Sequence, residues 1–523
     1  MTEEKYISLL VTSDIHGYIY PTNYSDHVEQ NFGLAKLSTL IEQKRKETNV
    51  ILLDNGDLIQ GSPLTFYHAK YQKEAENPLI KVANHLGYTA SVFGNHEFNY
   101  GLPYLRHVVQ KSNFPWLSAS VLNGKTEEPA FGQPYVIKKI EDITIAILGV
   151  TTHYIPNWED PKNIQGLAFK DALAATNDWV KYIREQKEPD VLIVSYHGGF
   201  ERDLETGDPT EELTGENQGY QICQEVQGID ILVTGHQHRT IADKINGVAV
   251  VQPSNYGQLL GEVELQLVKG SSKWNLVNTV SRVHATSEDM EPDKRVLELV
   301  ASYEASTQDW LDRPIGSIDG DMSIEDPFQL RLKDHPFIEF INKVQMDSAG
   351  VDLSNTSLFN NASKGFSDEI TMRDVVANYI YPNTLKVIEI SGKDIKEALE
   401  QSATYFTVKK EGEIGVNPAF VEPKPQHYNY DMWEGIEYVL DISKPIGERV
   451  VKLNYKGKLI SLERKFQVVM NNYRAGGGGN YYMYQGKPVI KDIQTDMTEL
   501  IATYILKQEK LKATCNKNWY VTF

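Results

Sequence analysis

The stretch ISLLVTSDIHG, residues 7–17, carries the pattern that decides the fold of this chain. A short apolar run, Ile7–Thr12, passes directly into Ser13, Asp14, Ile15, His16 and Gly17. The arrangement recurs along the N-terminal half. Val50–Leu53 runs into Asp54, Asn55, Gly56 and Asp57, and Ala90–Phe93 runs into Gly94, Asn95, His96 and Glu97. Ile143–Val150 leads to Thr151, Thr152 and His153, and Val191–Tyr196 leads to His197, Gly198 and Gly199. Ile229–Val233 ends in Thr234, Gly235, His236, Gln237 and His238. Apolar runs of this length, bounded by turn residues, read as buried strands. Helical patterns lie between several of them, such as Leu34–Lys46 with Leu34, Leu37, Leu40 and Ile41 on one face. Strands alternating with helices predict an α/β sheet. Ligands of such sheets bind beyond the carboxyl ends of the strands, so polar clusters that follow successive strands are expected to converge.

The chain has 523 residues, too many for one ordinary core, and two or more domains are expected. Hydrophobic residues at 41% and charged residues at 24% are ordinary for a soluble globular protein. The formal net charge of -19 argues against binding long nucleic acid through a basic surface. A small anionic substrate remains compatible with that charge, because metal ions invert the local field. The two cysteines, Cys223 and Cys515, match no zinc or redox spacing and read as unpaired thiols. The N-terminal residues show no basic leader before a long apolar stretch, and no segment approaches the ~20 apolar residues of a membrane span. The expected compartment is the cytoplasm, with no membrane partner. Nothing in the sequence speaks to the oligomeric state.

The clusters supply residues suited to binding metal. Asp14 and His16 lie two apart at a strand end, Asp57 follows Gly56, Asn95 and His96 follow Gly94, His197 precedes two glycines, and His236 and His238 again lie two apart. This mixture of oxygen and imidazole donors suits Mn²⁺, Zn²⁺ or Fe. A carboxylate such as Asp57 has two oxygens and can bridge two ions. Two ions roughly 3.5–4 Å apart form the arrangement used by phosphatases and nucleases, where a bound water becomes the nucleophile. The leaving oxygen then needs a proton, and His96, beside Asn95, is placed to supply it. Asp-x-His alone is weak and Gly-Asp after a strand is usually a turn, whereas Gly-His-x-His and, more so, Gly-Asn-His-Glu are specific. The ordered series Asp-x-His, Gly-Asp, Gly-Asn-His-Glu, His-Gly and Gly-His-x-His is what carries the assignment. His27, His68, His85, His107, His153 and His427 belong to no such series and read as core or surface residues.

At these residues the chain resembles the calcineurin-like metallophosphoesterases, and among them the 5′-nucleotidase family. The resemblance extends over nearly the whole chain. It implies a four-layer N-terminal metallophosphoesterase domain, two sheets flanked by helices, over residues 1–285. It also implies a linker helix over 286–312 and a C-terminal α+β nucleotide-binding domain over 313–523. One metal would take Asp14, His16, Asp57 and His238, and the other Asp57, Asn95, His197 and His236, with His96 as the catalytic histidine. The 5′-nucleotidases usually carry Asp three residues after that histidine. Here the residue is Asn99, which brings no negative charge to His96. The string with Asn resembles the branch of 2′,3′-cyclic-nucleotide 2′-phosphodiesterases with 3′-nucleotidase activity. So do Tyr428-Asn-Tyr430-Asp and the segment Asn471–Tyr481 with its glycine run, Gly476–Gly479.

In this family two aromatic rings of the C-terminal domain sandwich the base. The candidates are Tyr428 or Tyr430 on one side and Tyr481 on the other, with Asn361 and Asn472 as polar contacts. Stacking on an aromatic ring contributes about 1–3 kcal/mol per base. The resulting expectation is an enzyme with two divalent ions that opens 2′,3′-cyclic nucleotides and removes the 3′-phosphate. The alternatives are a 5′-nucleotidase or nucleotide-sugar hydrolase at the same metals, and a non-catalytic nucleotide sensor.

Overall fold

Glu4–Thr12 lies inside a six-stranded sheet, flanked by Asn49–Asp54 in parallel and Leu259–Lys269 antiparallel. The full order is Trp274–Ala285, Leu259–Lys269, Glu4–Thr12, Asn49–Asp54, Ala90–Val92, Trp116–Leu117. A second six-stranded sheet runs Thr240–Ile245, Val248–Pro253, Ile231–Val233, Val191–His197, Ile143–Thr151, Tyr135–Ile140. This computed structural model describes every residue except 1–2, 27, 158, 160, 212, 382, 410–412, 422–424 and 509, so His27 lies outside the described residues.

Alternation along the strands builds the layers. Leu9, Val11, Ile51, Leu53 and Val263 of the first sheet share one buried cluster with Ile145, Ile147, Ile193, Ile231 and Val251 of the second. The intervening residues of the second sheet, Leu148, Val150, Leu192 and Val194, point the other way. They are covered by Val180 and Ile183 of helix Ala172–Gln186 and Ile222 of helix Gly219–Glu225. Helix Leu34–Arg45 packs on the first sheet and buries Leu34, Leu37 and Ile41. Each such side chain contributes roughly 1.5–3 kcal/mol when taken out of water. The order is therefore helix, sheet, sheet, helix, as the four-layer expectation required.

The strands that precede the polar clusters run parallel within each sheet. Glu4–Thr12, Asn49–Asp54 and Ala90–Val92 end at one edge of the first sheet, and Val191–His197 and Ile231–Val233 at one edge of the second. Asn55 ties the two edges together. Its amide nitrogen donates to the Tyr196 carbonyl at 3.3 Å, and its side-chain oxygen accepts from Ser195 at 2.7 Å.

The chain divides into two units, Met1–Asn23 with His27–Gln308, and Tyr24–Asp26 with Asp309–Phe523. The first sheet ends with strand Trp274–Ala285. Within residues 286–312, where one linker helix is expected, the chain forms two helices, Lys294–Leu299 and Ala301–Leu311, because Val300 leaves helical geometry at φ -120 and ψ 13. The second unit is α+β. Its five-stranded sheet runs Met432–Glu434, Leu353–Thr356, Lys465–Asn471, Leu385–Ser391, Val489–Ile493 and packs against helix Pro336–Ala349. Helix Gly392–Ala403 starts at a capping box in which Ser391 and Asp394 satisfy each other's backbone donors. Among the described residues no helix is long and apolar enough to cross a membrane.

Candidate metal centre

The loops that leave the parallel strands are strapped to one another by backbone. Asp14 N donates to Gly56 O at 3.0 Å, His16 N to Asp57 O at 2.8 Å, and Gly17 N to Leu58 O at 3.0 Å. These bonds hold side chains in unusual backbone conformations. Asp14, His16, Asp57, His236 and His238 all have positive φ, between 49° and 67°. Non-glycine residues adopt this region rarely and at a cost, and they cluster at functional sites. Gly94 is a packing requirement of the same loops, since a Cβ there would collide with the Asp57 carboxylate.

The structure brings the seven expected ligands together in two groups. Asp14, His16 and His238 present donor atoms within 4.8 Å of one another, and so do Asp57, His197 and His236. Asp57 Oδ2 lies between the groups, 3.3 Å from His197 Nε2 and 3.9 Å from His16 Nε2. Asn95 Oδ1 meets both histidines of the second group, at 3.2 Å from His197 Nε2 and 2.9 Å from His236 Nδ1. Asp14 Oδ1 lies 3.5 Å from His238 Nε2.

The donor set fits cations. The Nε2 atoms of His16 and His238 face each other at 3.0 Å. Two ring nitrogens at that distance need either a shared proton or a cation addressed by both lone pairs. Burial holds the His16 pKa down at about 3, so its ring is neutral at neutral pH. The buried Asp57 carboxyl is held well below the usual range: burial opposes ionisation, but His197, His96 and His16 outweigh it. At His197 burial lowers the pKa, yet the adjacent Asp57 carries it up to about 10.

Partners outside the ligand set orient it. His16 Nδ1 meets Gln60 O at 3.1 Å, His197 Nδ1 meets Asn55 O at 2.7 Å, and His238 Nδ1 meets the Asn255 amide at 3.2 Å. His236 Nε2 meets Glu216 Oε1 at 2.8 Å. Bonds of this kind fix which ring nitrogen faces a metal. No local motif marks Glu216, Asn255 or Gln60 in the sequence. His96 sits at the rim, its backbone N–H bonded to Asp57 Oδ1 at 2.8 Å and its Nδ1 2.7 Å from Asn99 Oδ1. Asn99 is thus in contact with the histidine that it follows in sequence. His153 stands apart, 3.7 Å from Asp171.

A third carboxylate group, Asp334, Glu339 and Glu434, lies in the second unit. Its members have donors of their own. Glu339 pairs with Lys343 and accepts from Asn516 N at 2.7 Å, Asp334 accepts from Lys517 N at 2.8 Å, and Glu434 accepts from the Asn516 amide at 2.6 Å.

The expected base platform is corrected in part. Tyr430 and Tyr481 are both 0% exposed and offer no free face to a base. Tyr430 packs against Tyr405 and Phe406 at 5.1 and 5.0 Å. Tyr481 carries the Arg474 guanidinium 4.0 Å from its centroid, lies stacked 5.8 Å from Tyr484, and meets Ser402 through its hydroxyl at 2.8 Å. Arg474 is itself buried and paired with Asp431 at 2.7 Å. A ring spaced among polar residues can still be a core residue when a buried cation needs its π-face. Tyr428 keeps partial exposure and meets Tyr381 edge to face at 5.9 Å. Asn361 and Asn472 are exposed.

Residues 7–240 match the calcineurin-like phosphoesterases, and residues 314–486 match the 5′-nucleotidase C-terminal domain. A 2′,3′-cyclic-nucleotide 2′-phosphodiesterase/3′-nucleotidase of Yersinia enterocolitica is 30% identical over 90% of this chain and 81% of its own length. The trifunctional nucleotide phosphoesterase YfkN of Bacillus subtilis is 27% identical over 99% of this chain, which spans 39% of that protein. A Staphylococcus aureus protein provisionally described as a 5′-nucleotidase, solved with alpha-ketoglutarate, superposes with a TM-score of 0.72 at 36% identity. That superposition covers 99% of this chain and 100% of the other.

Proposed function

Since the chain belongs to the calcineurin-like phosphoesterases that carry a 5′-nucleotidase C-terminal domain, hydrolases of nucleotide phosphate esters, we propose that it opens 2′,3′-cyclic nucleotides to 3′-nucleotides and then removes the 3′-phosphate. The observation that carries this reading is Asn99 against His96 at 2.7 Å, where 5′-nucleotidases usually place Asp. The match to the Yersinia relative supports it. Asp14, His16, Asp57 and His238 would hold one divalent ion, and Asp57, Asn95, His197 and His236 the other, with Mn²⁺, Zn²⁺ or Fe as candidates. Bound there, such ions neutralise phosphate oxygens and lower the pKa of water toward neutrality.

The chain's own residues do the rest. Glu216, Asn55, Gln60 and Asn255 orient the ligand rings. His96, engaged through Nδ1, keeps Nε2 for a proton at the departing sugar oxygen, first the 2′ and then the 3′ oxygen. Tyr428 is the remaining candidate for stacking the base, with Asn361 and Asn472 as candidate polar contacts. Residues 286–312 would serve as the linker, with residues 1–285 and 313–523 as metal and substrate domains. The unbridged Cys223 and Cys515 support a reducing compartment such as the cytoplasm.

The Staphylococcus aureus relative favours a second reading, a 5′-nucleotidase at the same site. The complete ligand set and His96 oppose a non-catalytic sensor. The test is phosphate release, with Mn²⁺, from 2′,3′-cyclic AMP, 3′-AMP and 5′-AMP side by side, with products of the cyclic diester followed by chromatography. Turnover of the first two with little from 5′-AMP is expected. Turnover mainly of 5′-AMP would replace this reading with the second.

A further inference from the structure

His96 is not left without a carboxylate; one stands behind Asn99. The Asn99 amide nitrogen donates to Glu159 Oε2 at 2.7 Å, and the Asn99 oxygen faces His96 Nδ1 at 2.7 Å. Glu159 is 8% exposed. It is held in turn: Oε1 accepts from Asn163 Nδ2 at 2.9 Å, and its backbone N–H bonds to Ile155 O at 3.0 Å. Asn163 Nδ2 also lies 3.1 Å from Asn99 O, so the two asparagines and the glutamate form one network.

The chemistry of the groups orders this network. An ionised carboxylate only accepts, so the amide nitrogen of Asn99 must face Glu159. The amide oxygen, which also only accepts, is then turned toward His96, and Nδ1 must carry the hydrogen. An asparagine free of such a partner can rotate its amide and present N–H₂ to the ring, which selects the opposite tautomer. We propose that Glu159 is a positioning residue that acts through Asn99 to hold His96 as the Nδ1–H form with Nε2 directed to the reaction. This rests on the reading above, in which His96 serves the leaving oxygen.

The proton balance is closed. A water oxygen bonds to phosphorus and releases a proton to solvent, the bond from phosphorus to the sugar oxygen breaks with its electron pair on that oxygen, Nε2–H gives its proton to it, and the neutral ring that remains is the Nδ1–H form already held by Asn99. Solvent returns a proton to Nε2 for the next turnover. The device differs from an Asp–His dyad in that the buried negative charge stands one residue away and touches the imidazole only through a neutral amide.

Two measurements test it. The first needs neither metal nor turnover: ¹⁵N shifts of the His96 ring in metal-free protein. The neutral ring is expected as the Nδ1–H tautomer in the parent chain and as a mixture in Glu159→Ala. A predominant Nε2–H tautomer in the parent chain would overturn the proposal. The second compares leaving groups. Glu159→Ala should lower kcat on 3′-AMP by about 10–100-fold with little change in KM, and on p-nitrophenyl phosphate by under about threefold, because nitrophenolate departs without a proton. Equal losses on both substrates would reject the role.

Glu159→Gln, which can still accept from Asn99 and preserves volume, should lose less than Glu159→Ala. Asn99→Asp sets two carboxylates against each other and should lower activity, and the double variant Asn99→Asp/Glu159→Gln should recover it, since the glutamine amide can donate. A double variant no better than Asn99→Asp alone counts against the relay. A parent chain inactive on every phosphate ester, yet with the Nδ1–H tautomer, would remove the functional reading and leave the positioning intact. An active parent chain indifferent to Glu159→Ala would do the reverse.

Discussion

Glu97 holds Asp57 by its backbone: Oε2 accepts the Asp57 N–H at 2.9 Å, and neither group reaches the surface. The same carboxylate accepts from Gly94 N at 2.6 Å and Leu58 N at 2.8 Å. One side chain thus joins the loop of Asp57 to the loop of Asn95 and His96. The fourth residue of Gly-Asn-His-Glu has a structural task beneath the candidate metal ligands. Burial, followed by the charge of Asp57, raises its pKa to about 6, and the charge of His197 and the backbone donors of Asp57 and Leu58 work against that rise.

Removing that carboxylate should loosen the site from below. Glu97→Ala takes this acceptor from four buried N–H groups, those of Asp57, Leu58, Ile59 and Gly94, and each such loss costs about 1–3 kcal/mol where water does not enter. A fall in stability of several kcal/mol is expected in thermal or denaturant unfolding, with weaker metal binding. A variant as stable as the parent chain would show that these donors find other partners.

Asp57→Asn retains shape and removes the charge between His16 and His197. Turnover should fall by more than about a hundredfold, beyond the usual effect of an outer partner, and the protein should retain less metal after dialysis. Mass spectrometry of metal content, run beside circular dichroism, checks both. A folded variant with normal turnover would reject the site.

His68 predicts a dependence on pH unconnected with the metals. It is buried, with Nδ1 2.9 Å from the Tyr104 hydroxyl, which Asn77 also contacts at 2.8 Å. Burial lowers its pKa from 6.5 to about 4. The folded state therefore binds this proton less readily than the unfolded state. The stability contribution is complete above pH 6.5 and is lost as pH falls toward 4, by up to about 3 kcal/mol. Unfolding curves taken with chelator present should show that slope in the parent chain and a flatter one in His68→Gln. Parallel slopes would refute the assignment.

Tyr428 and Tyr481, expected on opposite sides of the base, should separate in experiment. Tyr428→Ala, at a partly exposed ring, should weaken nucleotide binding by about 1–3 kcal/mol and leave the melting temperature nearly unchanged. Tyr481→Ala removes the ring beside the buried Arg474 and should lower stability by about 3–5 kcal/mol. Isothermal titration with nucleotide and differential scanning calorimetry distinguish the two effects. A stable Tyr481→Ala with lost binding would reverse this distinction.

Much of the site was legible in the residue order. Strands that alternate with helices, and end in Asp-x-His, Gly-Asp, Gly-Asn-His-Glu, His-Gly and Gly-His-x-His, announce themselves through local periodicity and turn chemistry. Parallel pairing then brings their ends to one place, and the seven ligand candidates and His96 need no more than that. What the tertiary structure alone decided is which groups stand behind them. Glu216 reaches His236, Glu159 reaches Asn99 across 60 positions, and Asn255 reaches His238, all from loops without a distinguishing pattern. A hydrogen bond between distant loops leaves no periodic trace in either. The same holds for Tyr430 and Tyr481: sequence shows an aromatic ring near polar and glycine residues, but whether its faces meet water or Arg474 and Phe406 depends on how the domain closes around it. Local sequence therefore determined the strands, their turns and the candidate ligand types, whereas burial and long-range contacts determined orientation, protonation and which rings remain open.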